Sequence, residues 1–164
     1  MSKRTIFIMV DGLGIPPSGW TKSFFSEFHK EFSTLLSKNS IPVSTDMEIQ
    51  GLPQSATGQT SLFTGINSAK QLGMHVQGFP GLKLREIINK NNIFKFLIEN
   101  GLRVSFANAY IRYTLEELKN MNFRSVTTVM TESAIGWVRN IESILANKAV
   151  YHDITSETAH TASP

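Results

Sequence analysis

The first hydrophobic feature of the chain is a block: TIFIMV, Thr5 to Val10, is six apolar or β-branched residues without a charge. A run of that length and composition predicts a strand buried on both faces, as in the parallel sheets of α/β proteins. Asp11 ends the block, and DGLGIPPSG at 11–19 reads as a loop rich in Gly and Pro. The period then changes. In KSFFSEFHKEFSTLLSKNS, Phe24, Phe25, Phe28, Phe32, Leu35 and Leu36 recur at helical spacing and predict one amphipathic helix. A loop over 40–54 follows, and Leu62 with Phe63 points to a helix starting near Ser55.

Later elements announce themselves by their ends. Asn91-Asn92 is a capping signal for a helix over IFKFLIEN, Gly101 is its stop, and LRVSFANAY reads as a second strand. LKLREII has helical spacing, with Arg85 and Glu86 on its solvated edge. TLEELKNM is a short helix, while SVTTVMTESA fits a strand or a helix equally. GWVRNIESILANK puts Val138, Ile141, Ile144 and Leu145 on one helical face, and VYHDITSETAHTASP begins like a strand and turns polar. Strands alternating with helices predict an α/β fold: a three-layer αβα sandwich on a mainly parallel sheet.

Composition narrows the class of protein. A chain of 164 residues that is 41% hydrophobic can bury one ordinary core, so a single domain is predicted. The 16 Lys and Arg against 13 Asp and Glu form no long basic block and do not interleave with aromatics, so nucleic acid is not an expected partner. The absence of Cys rules out disulfides and thiolate metal sites and fits a reducing compartment. The apolar run after Lys3-Arg4 is shorter than a secretion signal and lacks a cleavage site, and no stretch has the length of a membrane span. A cytoplasmic protein with no membrane partner is the expectation.

Two places carry candidate chemistry. Asp11 follows the first apolar run, where open α/β sheets bind ligands, although Asp before Gly equally caps turns. PQSATGQTSLFTG at 53–65 looks at first like a phosphate-binding loop, but Pro53 stands in place of its first glycine and Gln59 in place of its lysine. The serine-hydrolase elbow is absent too, because Pro53 and Thr57 flank Ser55 where glycines belong. Ser55 at a helix start would bring the amides of Ala56, Thr57 and Gly58 towards an anion, with its hydroxyl placed to attack phosphorus. Serine is also among the best N-cap residues, and that alternative stays open.

Together, FIMVDGLG at the amino end and LPQSATGQTSLFTGINSAKQLGMHVQGFP resemble the metalloenzyme domain of the alkaline phosphatase superfamily. The likeness is to its phosphoglycerate-mutase-like branch, beside cofactor-independent phosphoglycerate mutase and phosphopentomutase. It extends through FANAY and GWVRNIESILANKAVYHD. The resemblance implies that Asp11 is a metal ligand and that Ser55 is the nucleophile that becomes phosphorylated and touches metal. It also implies two divalent ions (Zn²⁺ or Mn²⁺, with Mg²⁺ possible in kind) and a small phosphorylated substrate. The activity would be that of a phosphomonoester hydrolase or a phosphomutase. Gly58, His75 and Gln77 are the substrate-binding candidates. Gln59 stands where the mutases have His, so the sequence looks like the less characterised branch.

The rest of the family's ligand set is not evident. There is no D-H-G segment, and no Asp precedes a His by four residues. His29 lies in the Phe-rich helix, His152 and Asp153 would face opposite sides of a strand, and His160 sits in the polar tail. The expectation is therefore that residues 1–164 are the N-terminal portion of one metalloenzyme domain, with an incomplete sheet, an incomplete metal site, weak metal affinity and little or no turnover. Arg112, at a strand end, is a weaker candidate for a substrate anion, and Trp20 and Trp137 are expected to be packing anchors. Two other readings compete: a non-catalytic phosphate- or nucleotide-binding α/β domain, and an interaction fragment without a ligand.

Overall fold

The computed structural model describes residues 4–16, 19–110 and 113–151. Arg112, His152, Asp153 and His160 lie outside the described residues. The chain forms two compact units, residues 1–44 and 45–164.

In the first unit the predicted strand is not formed. Residues 4–10 have no regular structure, and Ile6 and Ile8 are 85% and 79% exposed. An apolar run becomes a strand only by pairing its backbone, and here no ladder takes it up. The predicted long helix is broken into a 3-10 turn (Trp20–Lys22), α1 (Phe24–Phe28) and α2 (Lys30–Asn39). The break is His29, whose φ of −141° and ψ of 68° cannot continue a helix. Trp20 is the anchor of this unit. Its ring is buried, its Nε1 donates to Ser40 Oγ at 3.3 Å, and its carbonyl accepts the hydroxyls of Ser23 and the fully buried Ser33. Phe24, Phe28 and Leu35 are exposed, so the apolar stripe of the helical pattern is not the buried face.

The second unit is mostly helical: α3 (Ser55–Thr64), α4 (Ser68–Leu72), α5 (Leu82–Lys90), α6 (Ile93–Glu99), α7 (Leu115–Asn120), α8 (Val126–Ile135) and α9 (Ile141–Leu145). Its core is the packing of α5 against α8 and α3, with α8 also touching α6. Leu84 and Ile88, one turn apart on α5, are buried, as are Val126, Val129 and Met130 of α8 and Ala56 and Phe63 of α3. Burial of each large aliphatic side chain is worth about 2 kcal/mol.

Local signals set most helix ends here. The Asn92 side chain accepts from Lys95 N, and Gly101 follows α6 with φ of 75°. Thr114 and Glu117 form a reciprocal capping box at the start of α7. The ambiguous segment is helical: Ser125 caps it and Gly136, in the left-handed region, ends it.

The sheet is small. β1 (Ala109–Tyr110) pairs in parallel with β2 (Arg139–Asn140), and Asn108 bridges Val150 in parallel. The Ala109 amide donates to the Val150 carbonyl, and the Val150 amide to the Ala107 carbonyl, each at 2.9 Å. Parallel strands joined through helices make this unit α/β, but three layers are not formed among the described residues. The strand expected over 102–110 is confined to its end, and the helix expected over 136–148 begins only at Ile141. Leu145, predicted for its buried face, is 76% exposed. Trp137 is likewise not a buried anchor. It is partly exposed, with the Arg139 guanidinium 5.3 Å from its ring centroid.

Candidate functional site

The site that can be built from the residues upward is the first turn of α3. Gln54, in extended conformation, is the N-cap and makes no side-chain cap bond; Ser55 is the first helical residue and partly buried. Ser55 is therefore not the cap of its helix, and the capping alternative is corrected. Gly65, with φ of 71°, closes the helix at the other end.

The amides behind Ser55 are not available to an anion. Ala56 N and Thr57 N both donate to the Val76 carbonyl, at 3.1 and 3.4 Å, and Gly58 N donates to the Gln54 carbonyl at 2.9 Å in an ordinary helical bond. A carbonyl oxygen thus occupies the place in which a phosphate oxygen was expected. The orphan donors of a helix start are satisfied here by the chain itself. A domain that held phosphate on these amides would first have to displace Val76.

Side chains complete the turn. Thr57, fully buried, donates its hydroxyl to the Gln54 carbonyl at 3.2 Å and accepts the Val76 amide at 3.3 Å. Ser68, also fully buried, donates to the Thr57 carbonyl at 2.9 Å, and its hydroxyl lies 3.0 Å from that of Ser61. Through Val76, residues 74–78 are brought to the start of α3. His75 Nε2 is 3.1 Å from the Ile49 carbonyl, and its Nδ1 is buried without a hydrogen-bond partner. Gln77 is exposed. Of the substrate-binding candidates, His75 and Gln77 thus flank the residue that meets the Ser55 turn. Gly58 lies within α3, where an added Cβ would meet nothing within 4 Å. No close backbone approach makes a glycine necessary there.

Asp11 belongs to the first unit, Ser55 to the second. Asp11 is exposed in a turn with Gly12, whose φ is 76°, and it follows residues that form no strand. Its expected position at a strand end is therefore not formed. Among the described residues no three His, Asp or Glu side chains gather in a way that could hold a metal ion.

Sequence reasoning named Thr57 only for its amide and passed over Val76. A threonine in the first turn was visible, but nothing in the sequence marks the amide and carbonyl of Val76, 19 residues downstream, as the partners of its hydroxyl and its amide. Arg85, expected on a solvated edge, instead donates Nε to the Pro80 carbonyl at 2.8 Å and its terminal nitrogen to the Asn122 carbonyl. Burial lowers its pKa below the usual guanidinium value, the like charge of Arg124 lowers it further, and Glu132 opposes both. No described helix is long and apolar enough to cross a membrane. No protein-family model matches the chain, and no curated protein or solved structure matches it.

Proposed function

We propose that the chain carries a phosphoryl-transfer site with Ser55 as nucleophile, acting on a small phosphorylated substrate as a phosphomonoester hydrolase or a phosphomutase. The Ser55 oxygen bonds to phosphorus as the ester oxygen leaves, and the hydroxyl proton ends, through solvent, on the departing alcohol. The phosphoserine then passes its group to water, releasing phosphate, or back to the substrate. The observation that supports this reading is the place of Ser55 in α3: it leads the helix and Gln54 holds the capping position. Because Val76 takes the amides behind Ser55, the phosphoryl charge has to be met elsewhere than on that turn.

The three-layer αβα sandwich belongs to the same proposal, and the parallel pairing of Ala109, Arg139 and Val150 supports it. So do two divalent ions, with Ser55 as a named oxygen donor. One donor does not make the ligand set of a two-metal centre, and no step above depends on a metal. The test is incubation of the chain with p-nitrophenyl phosphate and Mn²⁺. The expected result is one slow round of transfer with little turnover: a phosphoryl group on the peptide containing Ser55 with a matching amount of p-nitrophenol, both lost in Ser55→Ala. Transfer that persists in Ser55→Ala, or a wild-type chain that transfers nothing, overturns the reading.

A further inference from the structure

We infer that Thr57 is the positioning residue of the Ser55 turn, the side chain that fixes where the attacking hydroxyl stands; this rests on Ser55 being the nucleophile. The first turn of this helix is not held by a cap, because Gln54, at the capping position, makes no side-chain bond to it. Thr57 supplies the hold from inside the helix. Its hydroxyl donates to the carbonyl of Gln54, the residue that precedes Ser55, and accepts the amide of Val76. Its own amide donates to the Val76 carbonyl and its own carbonyl accepts the Ser68 hydroxyl. Thr57 is completely buried, so water does not replace these partners when they are lost. Ser55 thus sits between two anchored groups, the Gln54 carbonyl before it and the Thr57 backbone after it.

The isosteric change Thr57→Val keeps the volume and removes both hydroxyl bonds, leaving the Gln54 carbonyl held by the Gly58 amide alone and residues 74–78 held to this turn through the Val76 carbonyl. Misplacement of a reacting group by about 1 Å costs roughly 10²-fold in rate. Phosphoryl transfer from p-nitrophenyl phosphate to Ser55 is measured in the wild type, Thr57→Val and Thr57→Ser, with melting temperature and amide exchange of residues 55–58 recorded for each. Thr57→Val is expected to lose roughly 10- to 100-fold in kcat with KM little changed. Its folded fraction at the assay temperature should stay near wild type, with faster exchange at Ala56 and Thr57. Thr57→Ser should recover most of the rate, because it restores the hydroxyl.

A Thr57→Val chain that transfers at the wild-type rate overturns this inference alone. So does a rate loss no larger than the loss of folded protein, or a Thr57→Ser chain as slow as Thr57→Val. A wild-type chain that transfers nothing overturns the Ser55 reading, and this inference falls with it.

Discussion

Replacing Asn92 by alanine removes a buried polar side chain that ties three helices of the core together. Asn92 is 3% exposed and bonds three elements at once. Its Oδ1 accepts from Lys95 N at 3.1 Å, capping α6, while Nδ2 donates to the Ile88 carbonyl at 2.9 Å and to Ser133 Oγ at 3.0 Å. Loss of the cap costs about 1 kcal/mol. Loss of the donor to a buried carbonyl and hydroxyl adds about 1–2 kcal/mol. The sum is about 2–3 kcal/mol, which for a unit of this size lowers the melting temperature by roughly 8 °C. The assay is urea or thermal unfolding followed by circular dichroism. Asn92→Asp separates the parts: its carboxylate keeps the cap but cannot donate to Ile88 or Ser133, and it buries a charge. At neutral pH it should be no more stable than Asn92→Ala, and it should gain stability on acidification, when its protonated oxygen can donate. A loss below about 0.5 kcal/mol in Asn92→Ala would show that the three bonds are replaced by water and would refute the reasoning.

Glu132→Ala should destabilise by about 3 kcal/mol in the same assay, because it leaves two guanidiniums without their shared carboxylate. Glu132 is 8% exposed, pairs with Arg124 at 2.8 Å and faces Arg85; a loss under about 1 kcal/mol would mean that solvent already screens the pair. Glu117 predicts an effect confined to acid. The Thr114 amide and hydroxyl hold its carboxyl below the usual carboxylate value, so its contribution is complete above that ordinary value and is lost as pH falls through the lowered one. Thr114→Ala should therefore flatten the acid limb of a melting-temperature profile and shift the neutral plateau less; an unchanged acid limb would contradict the capping box.

What the sequence made legible divides along the range of the interactions that decide it. Asn92 and Gly101 were readable because a cap lies within one helical turn of the groups it satisfies, and the start near Ser55 was readable from the apolar pair Leu62 and Phe63 within its own helix. Residues 5–10 and the Phe-rich helix were misread because apolar composition states only that a face wants burial. Whether Ile8 or Phe28 finds a partner is decided elsewhere in the chain. The turn at Met47 and Glu48, with φ of 52° and 62°, carried no glycine to announce it. It is held from 20 residues away by Asn67 Nδ2 on the Met47 carbonyl and by the contact of Lys70 with Glu48. The Ser55 turn joins both kinds of information. Its helix start is local and was seen, whereas the Val76 carbonyl that fills it is nonlocal and was not.

The segment 126–135 shows how local evidence is weighed. Val126, Thr127, Thr128 and Val129 favour a strand by type, yet Ser125 accepts from Thr128 N and Gly136 turns left-handed. A cap contributes about 1 kcal/mol at one position. β-propensity spans a similar range but changes with context, so the two ends of the segment outweigh its middle. Ser55–Thr64 is different: only Gly65 marks an end of it locally, because Gln54 makes no side-chain cap and the first amides are taken by the Val76 carbonyl from outside the helix.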